Sequence, residues 1–322
     1  MVSGWVLAAD IGGTHVRAAA VDRAGRLVAR REFASASMTG PAEAAHLIGD
    51  LLGAVRVESG LEPSAVCLGT PGLVDADRGM VIIAPNVAGF RNLPLAASVQ
   101  ERLGLPTFIE NDASAAALGE LRFGAGVGFR HLLHATLGTG IGGGIVINGR
   151  LYRGARGLAG EIGHVVIDQA GPRCNCGSRG CLEALVSGVA FAVRAQRLVD
   201  RGKSPILAEV TAGRAADSRD LYEAAVRGCQ ASKAEIQNGG HLLGLTLGGL
   251  VNVLNPEVVT LSGGLLGMGD LFLEPTRKAM HSIAYGPASG TILRLSTLGD
   301  DAGLLGAAAV AFERLDESPS VG

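Results

Sequence analysis

GEIGHVVIDQAGPRCNCGSRGCLE, Gly160 to Glu183, sets one histidine and three of the chain's five cysteines, His164, Cys174, Cys176 and Cys181, within eighteen residues. Gly171, Pro172, Gly177 and Gly180 supply the turns that such a knot needs. Three thiolates and an imidazole are the donor set of a closed structural zinc site, which takes four tetrahedral ligands. The Cys-x-Cys-x4-Cys spacing is not the commonest finger spacing, so a disulfide and a loop of reduced thiols stand beside zinc as alternatives. A disulfide would strand one of the three cysteines and suits a secreted protein. Cys67 and Cys229 stand alone in apolar surroundings and read as buried free thiols. Glu161 and Glu183 flank the four ligands. A metal knot that fixes two carboxylates and an imidazole is suited to be the wall of a binding pocket.

The chain has 322 residues, 48% of them apolar, enough for two domains with full cores. Lys+Arg 28 against Asp+Glu 30 leaves no overall basic footprint for nucleic acid, so any anionic ligand must be held locally. The N-terminal MVSGWVLAADIGG has no charged leader and no long apolar core, because Asp10 and the glycines interrupt it. Ile236 to Pro256 lacks charge, yet Gln237, Asn238, His241, Asn252 and five glycines make it too polar for a membrane span and predict a buried core helix. The expectation is a soluble, cytoplasmic protein with reduced cysteines and neither membrane nor nucleic-acid partner.

Outward from the knot, the chain repeats one device. WVLAAD (Trp5 to Asp10) runs into Ile11-Gly12-Gly13-Thr14 and then VRAAAV, with Asp22 to Gly25 as a hairpin turn into Leu27 to Phe33. HLLHATL (His131 to Leu137) runs into Gly138-Thr139-Gly140 and then IVING and RLYRG. EVVTLS is followed by Gly263-Gly264. Two strand–glycine–strand turns suggest two related halves closing on one nucleotide. Helices are predicted at about 41–59, from Pro94, from just after Asp112, at about 181–201, 218–229 and 231–254, and at the C-terminus. PTFIEND is a strand that ends on Glu110, Asn111 and Asp112, with Asp112 at the N-cap of the next helix.

A glycine turn right after a strand lets backbone amides approach phosphates with no side chain in the way. Each turn alone is more often a plain β-turn, and neither a Walker loop nor a helix-opening GxGxxG occurs. Together with Asp10, which can hold Mg2+ through water, and with the hydroxyls of Thr14 and Thr139, they read as a cradle for a nucleoside triphosphate. Asp112 is ordinarily a helix starter worth about 1 kcal/mol. Beside Asn111 and facing a phosphate cradle, its carboxylate is also placed to accept a proton from an attacking hydroxyl. Asn111, Glu161 and Glu183 offer the donors and acceptors that a polyhydroxylated sugar requires.

These residues resemble the ROK family, which joins repressors, open reading frames and kinases, and within it the bacterial ATP-dependent glucokinases. The resemblance rests on DIGGT (10–14), TPG (70–72), APNVAGFRNLPL (84–95), ENDASAAALGE (110–120), LGTGIGGGIVINGRLYRGARGLAGEIGH (137–164), CNCGSRGCLEALVSG (174–188) and SGGLL (262–266). It implies an α/β fold of the actin-like, ribonuclease H-like kind, with two domains, a cleft and a hinge. The boundaries expected are 1–112 plus 301–322 for a smaller domain and 113–300 for a larger one carrying the zinc loop. It further implies Asp112 as the base on the sugar 6-hydroxyl, and Asn111, Glu161, His164 and Glu183 on the ring hydroxyls, with Gly72 and Asn86 near them. Asp10, Gly12, Gly13, Thr14, Thr139, Gly140, Gly263 and Gly264 would line the phosphates and nucleoside. Structural zinc would bind His164, Cys174, Cys176 and Cys181. The activity implied is phosphorylation of glucose by MgATP, in a homodimer or homotetramer, with domain closure excluding water. Thr70 and Arg156 depart from the family pattern at the pocket rim. Kinases for N-acetylmannosamine, N-acetylglucosamine or fructose carry the same motifs. Sugar-sensing repressors of the family carry a helix-turn-helix segment ahead of a DIGGT-like turn, which here begins at residue 10.

Overall fold

The structure, a computed structural model, describes residues 4–84, 87, 90–317. Asn86 and the residues around it that are named in the APNVAGF motif lie partly outside this description. The chain forms two compact units. Unit one takes in the chain up to His134, Gly144–Gly160 and the chain from Ser296. Unit two takes in Ala135–Gly143 and Glu161–Leu295.

The first three strands, β1 (Trp5–Ile11), β2 (His15–Asp22) and β3 (Leu27–Ala34), form an antiparallel meander. Helix α1 (Pro41–Ser59) leads to β4 (Val66–Thr70), which pairs parallel to β1. A small three-stranded sheet follows, β5 (Leu73–Asp75), β6 (Met80–Ile83) and β7 (Arg91–Leu93), then α2 (Leu95–Leu103) and β8 (Thr107–Asn111), which pairs parallel to β4. Alternate residues of β1 and β2, Leu7, Ala9, Ile11, Val16, Ala18 and Ala20, meet Ile48, Leu52 and Val55 of α1 in one core. Period-2 strands and a 3.6-period helix bring these side chains together without any long polar excursion.

Helix α3 (Asp112–Phe123) and the last helix of the chain cover the other face. Between them come β9 (Leu132–Leu137), β10 (Ile141–Ile147), β11 (Arg150–Leu151), α4 (Leu182–Val186), α5 (Gly188–Asp200), α6 (Pro205–Thr211), α7 (Ser218–Val226), α8 (Gln230–Leu254), β12 (Val258–Ser262), α9 (Asp270–Ile283) and β13 (Ile292–Leu295), before α10 (Ala302–Glu317). The strand order is β3-β2-β1-β4-β8 in one five-stranded sheet and β11-β10-β9-β12-β13 in the other. Counted within each sheet, both read 3-2-1-4-5, the repetition expected of two related halves. Helices α3 and α10 cross in backbone contact: a Cβ on Gly119 would lie 2.9 Å from Gly306 Cα, and one on Gly306 would lie 2.7 Å from the Ala115 carbonyl. Unit one therefore carries α3 beyond Asp112.

The uncharged run at Ile236–Pro256 is indeed a packed core helix. Gly240, Gly244 and Gly248, one turn apart on α8, take the backbone of α9 so closely that a Cβ would meet the carbonyls of Phe272, Thr276 and Met280 at 2.2, 2.3 and 2.8 Å. Among the described residues no helix is long and apolar enough to cross a membrane.

Three expectations change. The helix expected at 181–201 is two helices, broken at Ser187, whose extended backbone (ψ 166°) lets its Oγ accept from Ala190 N–H and cap α5. Helix α6 was not anticipated, although Ser204 caps it by accepting from Leu207 N–H and Pro205 stands at its first turn. Cys229 is buried but not in apolar surroundings: its Sγ lies 2.9 Å from Ser204 Oγ and 3.3 Å from Ser232 Oγ, at the cap of α8. Burial alone would push this thiol up, but the two hydroxyls and the Ser232 and Ala231 amides bring it below its ordinary value.

Candidate functional site

In unit one, β1 ends at Asp10-Ile11 and turns through Gly12, Gly13 and Thr14 into β2. Gly12 N–H donates to His15 O at 2.9 Å and closes the turn, leaving Gly13 and Thr14 exposed at its tip. Ser35 ties the turn from behind, with Oγ donating to Gly12 O at 2.6 Å and N–H donating to Thr14 O at 2.8 Å. Asp10 lies against the first turn of α10, where a Cβ on Gly303 would come within 2.3 Å of its carboxyl carbon. Burial raises the Asp10 carboxyl above its ordinary range, and the charges of Arg17 and Arg30 draw it part of the way back. A carboxylate held this way gains from a nearby cation.

At the β8–α3 junction the structure corrects one reading. The N-cap is Asn111, not Asp112. Asn111 has extended backbone angles (φ −61°, ψ 140°), and its Oδ1 accepts from Ser114 N–H at 3.0 Å. Asp112 is the first helical residue, with Oδ1 accepting from Ala113 N–H at 2.8 Å. Asparagine caps a helix as well as aspartate does, so either residue could have taken this place. The other end of the Asn111 amide donates from Nδ2 to Gly72 O at 3.1 Å. Gly72 sits at φ 86°, and a Cβ on it would fall 2.2 Å from Ile83 O, so only glycine fits where the TPG loop passes β6.

Behind this junction lies a group that motif reading missed. Arg153 Nε donates to Glu110 Oε2 at 2.7 Å, and its Nη2 lies 3.3 Å from Glu313 Oε2 on α10. The two carboxylate side chains are only 4% exposed. Glu110 Oε1 accepts from Asn111 N–H, and Glu313 Oε1 accepts from Leu151 N–H, each at 3.1 Å. The signal was present as an acidic residue at the end of an apolar strand, but its partners lie 43 and 160 residues away in sequence from Arg153.

In unit two, the β9–β10 turn holds Thr139 and Gly140. Gly138 N–H donates to Gly140 O at 3.0 Å. Glu183 Oε2 accepts from Ile141 N–H at 2.9 Å. Glu161 and His164 flank a short turn, with Oε2 and Nε2 3.9 Å apart. Burial raises the Glu161 carboxyl, with His164 opposing and Glu183 reinforcing the shift. Gly263 (φ 100°) presses on the Leu137 backbone, where a Cβ would lie 2.3 Å from its carbonyl oxygen, while Gly264 faces open space. Gly263 is thus the glycine that the strand approach demands.

All five cysteines are free, so the disulfide alternative falls. His164, Cys174, Cys176 and Cys181 come together with their ligand atoms all within 4.8 Å of one another. Cys174 Sγ is 3.7 Å from His164 Nδ1, and Cys176 Sγ is 3.7 Å from Cys181 Sγ. Tetrahedral zinc with bonds of about 2.3 Å to sulfur and 2.0 Å to nitrogen separates its ligand atoms by about 3.5–3.8 Å. The four residues therefore fit a metal ion of this kind. The Ser178 N–H lowers the exposed Cys176 thiol to about 7, whereas burial pushes Cys181 up to about 12.

The family model described as "ROK family" matches residues 6–314. A protein of Halalkalibacterium halodurans named glucokinase is 35% identical over 310 residues, 94% of this chain and 93% of that one. The crystal structure of a ROK hexokinase from Thermus thermophilus is 34% identical with a TM-score of 0.84, covering 98% of this chain and 100% of that one. That of a ROK family glucokinase from Streptomyces griseus, in complex with glucose and AMPPNP, is 34% identical with a TM-score of 0.78, covering 96% of this chain and 100% of that one. The duplicated 3-2-1-4-5 sheets are those of the actin-like α/β fold that these sugar kinases share. The sequence motifs, the repeated sheet and the whole-length matches agree, and the chain belongs to the ROK family.

Proposed function

We propose that this chain transfers the γ-phosphate of ATP to the 6-hydroxyl of glucose, giving glucose 6-phosphate. The observation that carries the reading is its match, over the full length of that chain, to a glucokinase whose structure holds glucose and AMPPNP. The local geometry supports it. In unit one, Asp112 would accept the proton of the 6-hydroxyl, while Asn111, held by Gly72, would orient the sugar. Gly12, Gly13 and Thr14 would meet phosphate oxygens at an exposed hairpin tip. In unit two, Glu161, His164 and Glu183 would bind ring hydroxyls, and Thr139, Gly140, Gly263 and Gly264 the phosphates and nucleoside. Asn86 would lie near the sugar.

Asp10 would hold Mg2+ through water, which neutralises charge on the transferring phosphoryl group. The cysteine–histidine cluster would hold structural Zn2+, which fixes His164 with its Nε2 on the side of Glu161. The reaction would take place in the cytoplasm, in keeping with five unpaired cysteines, and in a homodimer or homotetramer. The hexokinase relative favours a second reading, a wider or different hexose preference with the same mechanism.

A coupled assay of ADP release from MgATP against glucose, mannose, fructose, N-acetylglucosamine and N-acetylmannosamine tests the reading. Preference for glucose supports it, turnover on another hexose replaces the acceptor, and no turnover on any overturns it. Asp112→Ala should abolish turnover and leave glucose binding in place. Full activity in that variant would remove Asp112 from the role of base.

A further inference from the structure

Ile141 opens β10 directly after Thr139 and Gly140, and its peptide is gripped by the two segments that carry the acidic and imidazole side chains. Its N–H donates to Glu183 Oε2 at 2.9 Å. Its carbonyl oxygen lies 2.3 Å from where a Cβ on Gly163 would stand, between Glu161 and His164. One residue earlier, a Cβ on Gly140 would fall 2.4 Å from the same Glu183 oxygen. The turn is also docked on the start of α5, where Gly188 N–H donates to Gly138 O at 2.9 Å and Val189 N–H to Thr139 O at 3.4 Å. A carboxylate and two glycines thus crowd the two peptide groups on either side of the Ile141 Cα, all within unit two.

The geometry points to Glu183 as a positioning residue for the nucleotide. Oε2 holds the Thr139–Gly140–Ile141 turn in the shape that receives phosphate oxygens, and Oε1 is left to face sugar hydroxyls. The inference rests on the proposed assignment of that turn to the phosphates. A charged acceptor on a backbone N–H is worth about ten- to a hundredfold in an equilibrium constant. The acid on the sugar side and the nucleotide turn are then one rigid element. Nucleotide affinity should depend on Glu183 even when no sugar is bound.

Isothermal titration of the zinc-loaded protein with AMPPNP and Mg2+, without sugar, tests this. Glu183→Ala should weaken AMPPNP about tenfold or more, and Glu183→Gln, which keeps a neutral acceptor, should restore part of the loss. Glu161→Ala, which removes the other acid without touching Ile141 N–H, should leave AMPPNP affinity within about twofold. Gly140→Ala should weaken AMPPNP in the parent and add little on top of Glu183→Ala, because the clash it creates is with the deleted carboxylate. The proposal is overturned if Glu183→Ala alters only glucose affinity, if Glu161→Ala weakens AMPPNP equally, or if the Gly140 and Glu183 losses simply add. Where Glu183→Ala fails to fold or sheds its metal, Glu183→Gln carries the test: AMPPNP bound more weakly than by the parent supports the proposal, and parent-like affinity overturns it. Absence of AMPPNP binding in the parent protein would overturn the kinase reading itself, and this inference with it.

Discussion

Arg153→Met should be the most damaging single change in unit one outside the glycines. The arginine bridges Glu110 and Glu313, whose side chains are 4% exposed, and is itself only 19% exposed. Its removal leaves two buried carboxylates without their hydrogen-bonded cation, with only the weaker pull of the Arg314 charge on Glu110, and breaking a buried pair in this way costs about 3–5 kcal/mol. A domain holds about 5–15 kcal/mol in all, so a large share is at stake. The cost should depend on pH with a definite sign. Glu110 already titrates above its ordinary range because burial raises it, and Arg153 limits the rise. With a folded-state pKa above the unfolded one, this group's contribution to stability falls as pH rises between the two values. Loss of Arg153 lifts the folded value further and extends that window upward. The deficit of Arg153→Met should therefore be smaller at about pH 5 than at about pH 8. Trp5, the single tryptophan, lies on β1 in unit one, so its fluorescence during urea unfolding reports on the right half of the chain. Arg153→Lys, which keeps charge without the fork that reaches both acids, should fall between. A loss below about 1 kcal/mol, or one that does not change with pH, would refute the account of the trio as a coupled buried network.

Gly72→Ala places a Cβ 2.2 Å from Ile83 O at φ 86°, so the unfolding free energy should fall by about 1–2 kcal/mol from backbone strain alone and more from the clash. The loop shift should also release Asn111 Nδ2, seen as a raised KM for sugar; an unchanged KM would place that hydrogen bond outside the site. Cys176→Ser, or dialysis against a strong chelator, should release one equivalent of zinc measured by atomic emission and weaken glucose binding through His164. Unchanged sugar affinity in the zinc-free protein would confine the cluster to stability. Gly249→Ala on α8, where nothing lies within 4 Å of the new Cβ, should raise the unfolding free energy from urea denaturation by about 0.5–1 kcal/mol. A loss there would mean that the outer face of α8 is covered.

Much of the fold was legible because the period of the apolar pattern and its punctuation agreed. Pro41 and Gly60 bracket α1, and Asn255 in the left-handed region ends α8. The metal cluster was legible because its four donors are close in sequence. What escaped depends on long-range geometry. Helix α9 carries Pro275 in its interior, which argues against a helix locally, yet burial of Phe272, Thr276 and Met280 against α8 outweighs the lost hydrogen bond. The choice of Asn111 over Asp112 as cap turns on a single backbone angle, since both residue types suit the role. Arg153 was invisible because neither of its partners is near it in sequence.

That cap has an evolutionary consequence. The residue that starts α3 and the residue proposed to take the proton are neighbours, not the same residue, so selection can act on them separately. A mutation at position 112 can end chemistry while Asn111 still nucleates the helix and still grips the Gly72 loop. A descendant altered only there would keep its shape and its ligand pocket and lose its turnover. The path from a working catalyst to a silent receptor for the same ligand is, at this junction, one codon long.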